Sequence, residues 1–344
     1  MTVEGDPLPV LSGAVLVPDT MPRPRRRRVP LALGIALVMT VAGSVGVFVA
    51  ARRTIDKVPR VQGVTHALSP SSEGIDNYLL VGSDSRDHGD PNTGDGGSVS
   101  GHRSDTIMVL RYDRSKGTAA LLSIPRDLWV TVVGHTDKRR INAAFNDGPD
   151  VLVETLQHEL QLPIHHYVEV DFTGFERLVA ALGGIQVCFD YPTRDLNTGL
   201  DIAVPGCHIL QGKMGLAYAR SRHFEEFKNG KWHEDLTSDF GRARRQRDFV
   251  NRCLQAAVAE LKADPYRAGE LIASIGAALK IDTDLDPIDA AASLRSAVAG
   301  GLVSYALPVT PKTIDGNAVL LLTPASDAVL EYFRGDGPPP PPAA

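Results

Sequence analysis

The sequence predicts an α/β protein: a single extracytoplasmic domain with a central mixed, largely antiparallel sheet flanked by helices, plus one N-terminal transmembrane helix. Three observations carry this. Apolar runs of strand length alternate with helical patterns from about residue 74 to residue 335. The first three runs, residues 77–82, 107–112 and 118–124, are joined without any helical pattern that could form a crossover, which favours antiparallel pairing. Residues 29–51 contain no charged side chain.

Residues 1–28 are proline-rich, lack periodicity and end in Pro22-Arg23-Pro24-Arg25-Arg26-Arg27-Arg28, the composition of a disordered cytoplasmic tail. As a helix, residues 29–51 rise about 34 Å, enough for a hydrocarbon core of roughly 30 Å. A cleaved signal has a shorter apolar region, and Arg52 and Arg53 make a poor cleavage site after Ala51. The denser basic cluster lies on the N-terminal side, so the positive-inside rule keeps that end cytoplasmic and places the rest outside. Residues 52–73 are polar and read as a juxtamembrane linker. The folded domain is expected over 74–335, with 336–344 a proline-rich tail.

Within the domain, the runs of Val, Ile, Leu and Thr bounded by Gly, Pro, Asp and Ser read as strands, and residues 113–117 as a hairpin turn. Residues 128–133 predict a fourth strand. A helix is expected over 150–160, a strand over 166–172, a helix over 175–182 closed by Gly183-Gly184, and a strand over 185–191. Residues 212–218 predict a short helix leading into Ala219-Arg220-Ser221-Arg222-His223, read as extended. The charged insert 224–237 reads as mobile. The longest helix starts at Ser238-Asp239 and ends near Leu261. Helices over 268–278 and 287–299 and strands over 303–309 and 318–322 follow.

The net charge of −5 gives no global reason to expect nucleic acid, and a cytoplasmic part of 28 residues leaves no room for a DNA-binding fold. No Walker A loop, dinucleotide glycine fingerprint, zinc spacing or Gly-x-Ser-x-Gly elbow is present. Of the three cysteines, Cys188 and Cys207 flank a loop and are the preferred disulfide for an oxidising exterior. Cys253 lies in a helical pattern and reads as a buried thiol, though the sequence leaves all three single pairings open.

The chemistry concentrates where the first three strands meet one edge of the sheet. Two antiparallel connections bring Asp84, Asp105 and Arg126 to that edge, with Arg86 and Arg103 nearby. On the long helix, Asp239, Arg242 and Gln246 are spaced to share one face. Arg220 and Arg222, two apart in an extended segment, point the same way. Arg140 and Arg245 complete the set. Guanidinium groups grip phosphate oxygens bidentately, and two carboxylates suit Mg²⁺ held together with substrate phosphates. The ligand this predicts is a pyrophosphate. For Asp239 alone, a helix cap is the competing reading.

Several signatures resemble, in order, those of the LytR–CpsA–Psr family: Leu80-Val81-Gly82-Ser83-Asp84-Ser85-Arg86, Arg103-Ser104-Asp105-Thr106, Ser123-Ile124-Pro125-Arg126-Asp127 and Arg140-Ile141-Asn142-Ala143-Ala144-Phe145. The same holds for Val170-Asp171-Phe172 with Gly174-Phe175, Ala181-Leu182-Gly183-Gly184, Ala217-Tyr218-Ala219-Arg220-Ser221-Arg222, and the stretch from Asp239 to Gln246. The Arg140 and Arg247 positions depart from the family's frequent Lys and Gln, and the 86–102 loop is long. The composition with Cys188 and Cys207 is similar to actinobacterial members.

The resemblance implies a phosphotransferase that moves a glycopolymer, arabinogalactan among the candidates, from a polyprenyl-pyrophosphate carrier onto peptidoglycan through a phosphodiester bond. It implies catalytic roles for Arg126, Arg220, Arg222 and Asp239, pyrophosphate binding by Arg86, Arg103, Arg140, Arg242, Arg245 and Gln246, and Mg²⁺, or Mn²⁺ in its place, on Asp84 and Asp105. The partners are the lipid-linked glycopolymer, peptidoglycan and the membrane. A polyprenyl-pyrophosphate hydrolase and a non-catalytic envelope-binding or regulatory protein are the alternatives.

Overall fold

A computed structural model describes residues 58–71, 74–84, 104–263, 268–299 and 302–342. The segment expected to span the membrane, residues 29–51, lies outside these, as do Arg86 and Arg103. Among the described residues no helix is long and apolar enough to cross a membrane.

In chain order the elements begin with β1 (Ile75–Ser83), β2 (Ser104–Asp113), β3 (Thr118–Ile124), β4 (Trp129–Thr131) and β5 (Lys138–Arg140). Then come α1 (Pro149–Leu160), β6 (His166–Val170), α2 (Phe172–Ala181), β7 (Ile185–Phe189), β8 (Thr193–Asp195), β9 (Leu200–Ile202), β10 (Gly206–Leu210) and α3 (Gly212–Arg220). The hairpin strands β11 (Glu225–Lys228) and β12 (Lys231–Glu234) precede the long α4 (Ser238–Ala263), followed by α5 (Ala268–Gly276), β13 (Lys280–Ile281) and α6 (Pro287–Ala299). Last are β14 (Leu302–Ala306), β15 (Val309–Ile314), β16 (Asn317–Leu322) and α7 (Ala325–Arg334).

The six-stranded central sheet has the order β13-β6-β1-β2-β3-β14. Strands β1, β2 and β3 pair antiparallel, β6 and β14 add in parallel at either side, and β13 pairs antiparallel with β6. The sheet is thus mixed, as expected. Its three central strands are apolar on both faces because both faces are covered. Leu79, Val81, Ile107, Val109, Ala120 and Leu122 pack with α1 and α7 on one side. The alternate positions Tyr78, Met108, Leu110, Tyr112, Ala119 and Leu121 form the other core, against which Val250 and Leu254 of α4 and Ala290 of α6 pack. A separate cluster joins α2, β7, β10, α3 and α4. Cys188 and Cys207, register partners on β7 and β10, form the disulfide. Cys253 is buried and free, and burial pushes its thiol pKa up to about 12.

Four expectations are corrected. The linker expected over 52–73 is in part core: Val58, Val64 and Ala67 are buried, and residues 65–67 form a 3₁₀ turn. The insert 224–237 contains the hairpin β11–β12, which joins β8 and β9 in a four-stranded sheet. The helix expected from residue 175 starts at Phe172, because the Asp171 side chain caps it by accepting from Gly174 N–H at 2.7 Å. Arg220 and Arg222 do not share an extended strand, since Arg220 ends α3 and Ser221 is its C-cap. Helix α7 is not among the expected elements, although Pro324 at its start and the left-handed Gly335 after its last residue mark its ends.

Candidate active site

The sheet edge where β1 ends, β2 starts and β3 ends is the locus the sequence predicts. Ser83 pairs with Ser104 and Gly82 with Thr106, with a bulge between. Asp84, half-buried, follows Ser83, and the backbone of Asp105 lies in the bulge on the other side of the Ser83–Ser104 pair. Behind them, buried Glu169 on β6 accepts from Ser83 Oγ at 2.9 Å and from Tyr167 Oη at 3.0 Å, and Lys280 Nζ lies 3.3 Å from it. This layer fixes the end of β1 from below.

Arg126 leaves β3 through Pro125. Its carbonyl accepts from Asn142 N–H at 3.1 Å, while the Asp127 carbonyl accepts from Leu320 N–H at 2.9 Å. That contact explains why an Arg-Ile-Asn segment follows the Pro-Arg-Asp turn: one holds the other in place. Asp127 lies 3.5 Å from Arg126 Nε and 3.5 Å from Arg140 Nε.

The first turn of α4 supplies the hub. Asp239 approaches Arg126 Nη2 at 3.6 Å, Arg222 Nε at 3.4 Å and Arg242 Nη2 at 2.9 Å. One carboxylate thus gathers three guanidinium groups from three parts of the chain. Arg220 turns elsewhere, its guanidinium carbon 4.3 Å from the centre of the Phe172 ring. Gln246 donates from Nε2 to the Ala219 carbonyl at 3.1 Å, tying α4 to the end of α3.

Arg245, expected among the pyrophosphate ligands, is corrected. It is buried, donating to Asp235 at 2.8 Å and to the Ser221 carbonyl at 2.9 Å, and it stacks on Phe224. Its contacts, not its helical spacing from Arg242, take it out of the cluster, and through Asp235 and Ser221 it braces the β12–α4 turn. Two residues that carry the site escaped the sequence reading. Asp127 bridges Arg126 and Arg140, although its place in the Pro-Arg-Asp turn is a signal. Asp195 on β8 accepts from Ser221 Oγ at 2.6 Å, Arg222 N–H at 3.1 Å and His223 N–H at 3.0 Å, and nothing local in the sequence couples it to residues 221–223.

Two cavities meet beside this cluster, at Thr106 and Gln246. The first, about 340 Å³, is an almost wholly apolar groove between the sheet and α2, α4, α5 and α6. Its one polar end is formed by Ser83, Thr106, Arg220 and Gln246. From Thr106 to Tyr112 along β2 it extends roughly 20 Å, and Gln246 to Leu261 along α4 gives about the same. The second cavity, about 590 Å³, is bordered by Arg126, Asp239, Arg242 and the β15–β16 hairpin. Thr106 and Gln246 line both. Among the described residues there is no cluster of three or more His, Cys, Asp or Glu that could hold a metal by itself.

An apolar groove that ends at Arg220 and Gln246, beside an arginine cluster on a mixed sheet, defines the class: an α/β protein with a hydrophobic groove opening next to a cationic centre. The LytR_cpsA_psr family model matches residues 47–332, and the chain belongs to that family. It is 33% identical over 283 residues to the probable cell wall biosynthesis protein LcpB of Corynebacterium glutamicum, a match covering 80% of this chain and 64% of that protein. The chain therefore spans just under two thirds of that relative's length. It is 28% identical over 265 residues to the polyisoprenyl-teichoic acid–peptidoglycan teichoic acid transferase TagU of Bacillus mycoides, covering 74% and 78% respectively. Its fold matches the LytR-Csp2A-Psr enzyme from Actinomyces oris with a TM-score of 0.65 at 25% identity, over 80% of this chain and 95% of that one.

Proposed function

We propose that this chain is an extracytoplasmic phosphotransferase that moves a glycopolymer from a polyprenyl-pyrophosphate carrier onto peptidoglycan, anchored by the apolar segment 29–51. One observation carries this most: the apolar groove ends at Arg220 and Gln246 and meets, at Thr106 and Gln246, the cavity that Arg126 and Arg242 border, so a molecule with a long hydrocarbon tail and a polyanionic head has a seat for each part. The tail leaves water along a channel of roughly 20 Å, a gain proportional to the apolar area removed. The head reaches Arg220 and Gln246 at the groove mouth and Arg126, Arg222 and Arg242 beyond it.

In the reaction, an acceptor hydroxyl oxygen bonds to the phosphorus that carries the glycan, the bond from that phosphorus to the bridging oxygen breaks, and polyprenyl phosphate leaves with the bonding pair. The hydroxyl proton goes to solvent. Negative charge grows on the bridging oxygen, and guanidinium groups already fixed in place stabilise it without reorganising. Asp239 acts as a positioning residue, holding three of them within reach. Asp84 and Asp105, at the bulged end of the β1–β2 pair, are the carboxylates that would hold Mg²⁺ or Mn²⁺ together with substrate phosphates. When bound, the ion would neutralise diphosphate charge.

The test uses the full chain in detergent with a lipid-linked pyrophosphate glycan and peptidoglycan. Wild type is expected to attach polymer, and Arg222→Ala to lose roughly 10²-fold or more in rate. No attachment by wild type, or an Arg222→Ala variant as fast as wild type, overturns the proposal.

A further inference from the structure

The second cavity contains a charge that the donor-binding cluster does not use. Arg247 is buried and lines this cavity, and among the described residues it has no hydrogen-bond or ion-pair partner. Arg244, one turn before it, is the charge that faces it, and burial together with Arg244 lowers its pKa. The carboxylates that border the same cavity, Asp127 and Asp239, are already held by Arg126, Arg140, Arg222 and Arg242. Buried charges are normally paired, because taking a guanidinium out of water without an acceptor is costly. The natural partner is an anionic group on a ligand.

Spacing along α4 supports this. Asp239, Arg242 and Gln246 form the face turned to the donor cluster. Phe240, Ala243, Arg244 and Arg247 form the adjacent face, and all four line the second cavity. Phe240 is half-exposed at 53%, an aromatic surface at the cavity that a sugar ring can stack on. Lys312 of β15 stands on the opposite wall. The first cavity accounts for the tail, while Arg126, Asp239 and Arg242 of the donor cluster border the second, so an attacking hydroxyl held in the second cavity stands next to the diphosphate.

We infer that the second cavity is the acceptor subsite: it holds a glycan of the acceptor strand, with an acceptor carboxylate on Arg247 and a sugar ring against Phe240. This rests on the transferase reading above. Peptidoglycan supplies such carboxylates on its lactyl-peptide branches. Arg247 is then a determinant of acceptor choice.

The test is calorimetric binding to the full chain in detergent micelles. The probes are a disaccharide-peptide peptidoglycan fragment with free carboxylates, the same fragment amidated, a sugar-free polyprenyl pyrophosphate and its glycan-bearing form. Arg247→Gln and Phe240→Ala should each weaken the free-acid fragment about tenfold and leave the sugar-free pyrophosphate unchanged. The amidated fragment should bind wild type as weakly as the free acid binds Arg247→Gln. Because Phe240 is half-exposed, its removal spares the core, so a folding defect at Arg247 would not mask the result. Wild-type affinity for the fragment in both variants overturns the assignment. So does a loss confined to the glycan-bearing donor, which would give the anion to the donor, or a parallel loss of the sugar-free pyrophosphate. Wild type that binds the fragment in this pattern yet transfers nothing would sink the transferase and leave the subsite.

Discussion

Asp195 shows how one buried carboxylate can set the geometry of a site it never touches. Burial raises its pKa, but hydrogen bonds from Ser221 Oγ and from the Asn197, His223 and Thr198 N–H groups outweigh it and hold the group below the usual carboxylate range. Those bonds fix the turn that aims Arg222 at Asp239. A depressed folded-state pKa means that the stabilisation is complete above the ordinary value of 3.8 and disappears as pH falls through the folded one. Asp195→Asn should therefore lower Tm by a constant amount above pH about 5, with the gap to wild type closing below pH about 4. Thermal unfolding of both proteins across that range checks it, and a gap unchanged down to pH 2 would show that Asp195 is not the anchor. Before any coordinates, Arg126, Asp239 and Arg242 could be placed together because a strand end and helix spacing constrain them, whereas Arg222 was assigned through an extended segment that is a helix end. Asp195 could not, because its partners lie 26 to 28 residues away and only the fold brings them close. Arg245 was misplaced for the opposite reason: residue type suggested a ligand, while its burial against Asp235 and Phe224 is a tertiary fact.

At the scale of elements, several motif residues that look chemical serve packing. A Cβ on Gly174 in α2 would collide with the Ala278 carbonyl oxygen, and one on Gly215 in α3 would press on the Phe249 ring at 2.9 Å. These glycines let α2 and α3 approach the layer that walls the groove. Gly174→Ala should destabilise the protein by about 1–3 kcal/mol, the cost of overpacking, through displacement of the segment after α5. Denaturant unfolding measures this, and an unchanged midpoint would mean that residue 278 moves freely. The strand pairing of β1, β2 and β3 was legible because no crossover separates them. The hairpin β11–β12 was not, because its charged residues mimic a solvated loop and its pairing depends on β8, a three-residue strand.

Across the whole molecule, the two-sided burial of the sheet produces the working arrangement. One face packs against α1 and α7, while the other is held off by α4, α5 and α6 enough to leave a groove. Side-chain patterns alone do not separate these outcomes, since groove and core are equally apolar. Ala290 of α6 lines the groove and packs against the core that includes Leu110, Tyr112, Ala119 and Leu121. A bulky ring there would shorten the channel without touching the arginine cluster. Ala290→Trp should weaken binding of a long polyprenyl pyrophosphate by about tenfold or more, since each lost methylene contact is worth about 0.8 kcal/mol. A pyrophosphate with a two-isoprene tail, short enough to occupy only the mouth, should bind variant and wild type alike. Equal losses for both lipids would mean that the substitution has disturbed the head-group site, and equal retention would mean that the tail lies elsewhere. Only a length-dependent loss places the hydrocarbon along the sheet, with its charged end delivered to Arg126, Arg222 and Arg242.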